Sequence, residues 1–240
     1  MSFRAVSALL LVCLLGACSE ATNERPWYVS RFGGPERKWR PQAGRPVVSQ
    51  KKPAMLIYEV SQYREAAPTP EQRAAAEVLR SESMLAAVRH GWYDFDVALA
   101  AGYELMFSDD VHYVNEEFAF DDAVLDPDRP EFLMYYQTSR GMSLVGFMYY
   151  VAGPDARGDQ IGGGLTTWHY HVWSRPQCLL GGLLAVDVPN LAGECARGKR
   201  RVRSPEMLHV WLIDHPEGAF ATRMQVRPAV LERLIERRGF

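Results

Sequence analysis

Gly162-Gly163-Gly164-Leu165-Thr166-Thr167-Trp168-His169-Tyr170-His171-Val172-Trp173 reads as a strand led in by a flexible glycine run. Thr, Trp, Tyr and Val favour a pleated strand, and glycines before it mark the end of a loop. Side chains on a strand alternate between its two faces. Thr167, His169, His171 and Trp173 therefore share one face, and Thr166, Trp168, Tyr170 and Val172 share the other. Two imidazoles on one face can converge on a single metal ion, and other parts of the chain must supply the remaining ligands.

Strand patterns surround this stretch. Val111 to Val114 is a short candidate. Glu131 to Thr138 and Ser143 to Val151 are longer ones, joined at Ser139-Arg140-Gly141-Met142 as a hairpin. Leu179 to Val188 follows, with Gly181-Gly182 marking a bulge or a close backbone approach. Met207 to Ile213 is apolar on both faces, so it belongs inside the sheet.

Helical patterns come earlier. Thr69 can cap a helix whose first turn holds Pro70, and Gln72 completes a capping-box pattern. Ala75, Val78, Leu79, Leu85 and Val88 make its apolar stripe, and His90-Gly91 ends it. A second short helix spans Asp94 to Gly102, and Pro228 to Arg238 closes the chain as an amphipathic helix. Helices first and mostly strands afterwards give an α+β fold. Its N-terminal helices pack on an antiparallel β-sheet or a small β-barrel.

Four histidines fall on strand patterns: His112, His169, His171 and His209. An imidazole in an apolar strand such as Met207–Ile213 needs a hydrogen-bond partner or a metal, because burying it unpaired costs about 1–3 kcal/mol. Three nitrogen ligands with an open position suit catalytic zinc; three or four also suit copper, nickel or iron. The four histidines are therefore the candidate ligands of one transition metal ion, with zinc or copper favoured over iron or nickel. Asp109, Asp110, Asn115, Glu116 and Asp214 are placed to orient the rings. His90 reads as a helix-end residue and His215 as a turn residue. No catalytic residue can be named.

The first residues read as a leader. Arg4 precedes an apolar run from Ala8 to Leu15, too short to span a bilayer as a mature helix, and small residues follow. Leu15-Gly16-Ala17-Cys18 resembles a bacterial lipobox. The resemblance implies cleavage of residues 1–17, lipid on Cys18, and an outer-membrane anchor facing the periplasm. Residues 18–53 are rich in Pro and in Arg and Lys and read as a tether, leaving 54–240 as a single α+β domain. With Cys18 lipidated, Cys178 and Cys195 remain, and an oxidising compartment pairs them in a disulfide. A formal net charge of -2 points away from nucleic acid as a partner.

Gly164 to His171 resembles part of the first motif of the cupins, which hold a metal on a H-x-H pair, a carboxylate and a later histidine. Pro205-Glu206-Met207-Leu208-His209 is similar to their second motif, which implies His209 as the later ligand. Gln177 stands where the carboxylate should be, and the glycine of the second motif is missing. His112-Tyr113-Val114-Asn115, Asp126 to Tyr135 and Leu208 to Leu212 more closely resemble segments of a group of secreted bacterial proteins with no assigned activity. Other chemistries lack their residues. Gly141-Met142-Ser143-Leu144-Val145 misses the last glycine of a nucleophile elbow, and Gly162-Gly163-Gly164 lacks the Lys-Ser/Thr of a phosphate loop. A metal-dependent enzyme or metal carrier is one expectation. The other is a non-catalytic envelope protein whose histidines are structural and whose sheet binds a partner or small ligand.

Overall fold

Thr69 starts the first long helix in the way its sequence dictates. In the computed structural model, which describes residues 30–31, 55–59, 67–107 and 109–238, its side chain accepts from the backbone of Gln72, and the Gln72 side chain accepts from the backbone of Thr69. The expected leader, Cys18 and most of the tether lie outside the described residues. In chain order the elements are β1 (Ser30–Arg31), β2 (Met55–Glu59), α1 (Pro70–Arg89), α2 (Phe95–Ala100), β3 (Tyr103–Leu105), β4 (His112–Asn115), α3 (Glu116–Ala119), β5 (Ala123–Val124), β6 (Phe132–Thr138), β7 (Gly141–Tyr150), β8 (His169–Leu180), β9 (Leu184–Asp187), β10 (Lys199–Arg203), β11 (Met207–Trp211) and α4 (Pro228–Arg238). No helix among the described residues is long and apolar enough to cross a membrane.

The fold is α+β. A nine-stranded antiparallel sheet runs in the order β10-β8-β11-β7-β6-β4-β3, with β2 and β9 also paired to β8, and it curls into a half-barrel. The Met207 strand lies inside the sheet between β7 and β8, and every one of its residues is buried.

Two cores divide the faces. On one, α1 and α2 cover Leu144, Phe147, Tyr149, Leu208 and Val210. The contact is close because α1 buries Ala75, Ala76, Leu79, Ser83, Ala86 and Ala87. Val78, Leu85 and Val88, expected on the buried stripe, are instead 46–56% exposed. Alanines let the helix backbone approach the sheet, which turns the larger residues outward. Ser83 shares a hydrogen bond with the Tyr149 hydroxyl at 3.2 Å. Arg80 donates to the Trp211 and Ile213 carbonyls, at 3.0 and 3.3 Å, and pins α1 to the end of β11.

The concave face holds the second core, with Phe132, Met134, Met148, Tyr150, Met207 and Trp211 on the strands and Leu231 and Ile235 from α4 closing it. Glu232 of α4 accepts from the backbone and hydroxyl of Ser139, both at 2.8 Å, tying the helix to the β6–β7 hairpin.

Two of the expected strand features appear with adjustments, and the expected disulfide is present. The histidine strand begins at His169, later than expected, because residues 163–165 form a 3-10 turn and the Trp168 indole donates to the Asp159 carbonyl at 2.9 Å. Gly181-Gly182 is a tight turn between β8 and β9, with φ of 58° and 81°, which glycine tolerates best. Cys178 and Cys195 are bonded, their Cα atoms 5.6 Å apart.

Candidate metal centre

His169 and His171 sit at the start of β8, and the strand's pleat turns both to the concave face. Ser204 fixes the backbone there. Its hydroxyl accepts from the His171 N–H at 2.9 Å, and its own N–H donates to the His171 carbonyl at 2.9 Å. β11 brings His209 alongside through the pairing of Met207 with His169. β4 brings His112 from the far side of the curl.

The rings gather. The centroids of His169 and His209 are 4.6 Å apart, those of His169 and His171 5.5 Å, and those of His112 and His209 5.7 Å. Imidazoles bound to one tetrahedral ion through nitrogens at about 2.0–2.1 Å have centroids about 5 Å apart. The ring spacings therefore suit a shared ion. The nitrogens do not yet converge: among the described residues no three His, Cys, Asp or Glu groups are set to hold one ion as they stand.

Two rings are held in a defined tautomer. The His112 Nδ1 lies 3.0 Å from Asp109 Oδ2. A carboxylate only accepts, so Nδ1 carries the proton. Asp109 is itself fixed, its Oδ1 accepting from the N–H groups of Asp110, Val111 and His112 at 2.6–3.1 Å. Burial would raise the Asp109 pKa, but the charge and hydrogen bond of His112 and these N–H groups outweigh it and hold the carboxyl well below its usual range. The His209 Nδ1 lies 3.2 Å from the Ala221 carbonyl, which again only accepts. Whenever such a ring is neutral its Nε2 is a bare lone pair, whereas the His112 charge that lowers Asp109 belongs to the protonated ring, whose Nε2 also carries a proton.

Those nitrogens are buried. His112 Nε2 and His209 Nε2 have no hydrogen-bond partner among the described residues, and His169 makes none of good geometry, although backbone groups at Thr167 and Met207 lie close enough to oppose the fall of its pKa. Burial, then the neighbouring His171, lowers the His169 pKa to about 3. Burial and His112 lower His171 to about 4, with Asp109 opposing. Burial, then His169 and His112, push His209 well below its ordinary value. Neutral imidazole is the form a metal requires. His171 is the partly exposed member, so the rim beside it is the open side of the cluster.

The other expected residues stand elsewhere. His90 caps α1 and sits 2.9 Å from Asp128. His215 stacks on Trp211 at 4.4 Å and its Nδ1 accepts from the Glu217 N–H. Gln177, where cupins carry a carboxylate, lies farther along β8 opposite Arg201. The carboxylate that the fold sets beside His169 is Glu59 of β2, its direct cross-strand partner, whose Oε1 accepts from Thr222 at 2.8 Å. Sequence reasoning passed over Met55–Glu59; its alternation of Met, Ile and Glu on one face was the available signal. No protein-family model, curated protein or solved structure matches the chain.

Proposed function

We propose that the concave face holds one transition metal ion on His112, His169 and His209, with His171 at the rim as a fourth donor, in a lipid-anchored protein facing the periplasm. One observation carries the reading. Three gathered imidazoles include two, His112 and His209, whose Nε2 atoms are buried without partners among the described residues, while their Nδ1 atoms are anchored to oxygen acceptors. A buried polar atom left unpaired costs about 1–3 kcal/mol, which coordination of an ion would recover. The anchoring by Asp109 and by the Ala221 carbonyl is the outer-shell pattern of metal-ligating histidines.

The disulfide supports an oxidising compartment. A bound ion would supply Lewis acidity or a carried metal equivalent. The chain's own part is to orient the rings, exclude water through the apolar layer of Phe132, Tyr150 and Trp211, and leave access at His171.

The test is metal analysis of the untagged protein after loading with zinc, copper, iron or nickel. About one equivalent bound, lost in His169→Ala and His209→Ala variants that keep their far-ultraviolet circular dichroism, is expected. Failure to retain any of the four ions would overturn the reading and favour the structural role.

A further inference from the structure

The residues opposite the histidines bear on which ion the site takes. His112 is paired with Met134, His209 with Met148, and His169 with Met207. Directly opposed residues of an antiparallel ladder lie on the same face with Cβ atoms about 5 Å apart. Each of the three buried imidazoles thus has a methionine as its direct cross-strand neighbour, and these methionines are 0%, 1% and 2% exposed. Met134 is turned toward the middle of the face: a Cβ added to Gly146 would lie 2.3 Å from its terminal methyl.

We infer that the ion is copper, held as copper(I), and that methionine sulfur from this row joins the imidazoles around it. The inference rests on the metal reading above and adds the identity of the ion. Thioether sulfur is soft and uncharged and selects copper(I). Zinc takes thiolate, imidazole and carboxylate oxygen. Substituting leucine for these methionines conserves volume, so the thioether can be removed without opening the core.

The experiment titrates the metal-free, disulfide-bonded protein with copper(I) under anaerobic conditions against a chromophoric copper(I) chelator, and with zinc(II) in parallel. One equivalent of copper(I) should bind, more tightly than zinc(II). X-ray absorption at the copper edge should show sulfur as well as nitrogen scatterers. A Met134→Leu/Met148→Leu/Met207→Leu protein should bind copper(I) about tenfold or more weakly, with zinc(II) affinity within about twofold of the parent. A nitrogen-only shell, or zinc(II) binding as tight as copper(I), overturns the copper assignment and leaves the histidine site standing; no binding of either ion overturns both. Should the triple variant fail to fold, the sulfur signal of the unaltered protein decides alone.

Discussion

The rings of His112 and His209 stack with centroids 5.7 Å apart and planes within 24°, although their strands, β4 and β11, are separated by β6 and β7. Three strand spacings of about 4.8 Å would keep them about 14 Å apart across a flat sheet. The curl of the sheet closes that gap. Gly146 on β7 lies between Met134 and Trp211 in the row that begins at His112, and it leaves the floor of the curve free of a side chain.

Gly146→Ala should therefore damage the protein at its bend. The new Cβ would stand 2.3 Å from the Met134 methyl and 2.7 Å from the Val210 carbonyl oxygen, and the latter is backbone and cannot step aside. A loss of about 1–3 kcal/mol is expected from such overpacking. Urea denaturation measures it, with Gly153→Ala as the comparison, since nothing lies within 4 Å of a Cβ there. Equal midpoints for the two variants would contradict the account.

Asp109→Asn removes the charge behind His112 while keeping an oxygen that can accept the backbone N–H groups. Metal affinity should fall about 10- to 100-fold with little change in the circular dichroism. Chelator competition reads the affinity. An unchanged value would mean that His112 does not ligate.

Glu131 supplies a pH dependence. It is 3% exposed, and burial raises its pKa well above the ordinary carboxylate value, with its own N–H and that of Tyr150 opposing. A carboxyl raised in the folded state gives its full stability below its unfolded pKa near 4.5 and loses it as pH rises. Glu131→Gln removes the ionisable proton. The variant's melting temperature should fall less than the parent's between pH 5 and pH 8, so that the difference favours the variant most at pH 8. Parallel melting curves across that range would refute the assignment.

Reduction tests the Cys178–Cys195 bond. The bridge spans 17 positions, and closing a loop of that size is worth about 3 kcal/mol in the chain-entropy model. Dithiothreitol should lower the urea midpoint accordingly, and a Cys178→Ala/Cys195→Ala protein should match the reduced parent and no longer respond to reductant.

Local chemistry was legible in the chain; long-range shape was not. Thr69, Gln72 and His90 announced α1, Pro228 announced α4, and Met207–Trp211 declared itself an inner strand, because caps and apolar runs act over a few residues. The two histidines of β8 could be placed on one face by parity alone. The buried side of α1 could be read only in part: Ala75 and Leu79 are buried as expected, but Val78, Leu85 and Val88 carry the hydrophobic signal while Ala76, Ala86 and Ala87 make the contact. β10 carries no strand signal of its own, because Lys199 to Arg203 lack the composition of a strand and take their order from the edge of β8. Glu59 was missed for the same kind of reason: its neighbour His169 is chosen by a register that no local pattern encodes.

His169 and His209 stand on adjacent strands, but His112 lies three strands away from His209, and the bend of the sheet brings its ring to theirs. Contacts between such distant parts of a chain form late, after the entropy of closing long loops has been met. On the metal reading proposed above, an ion would therefore not nucleate this polypeptide as zinc does a finger whose ligands are neighbours in sequence. It would join a sheet already bent, a late guest rather than a founder of the fold.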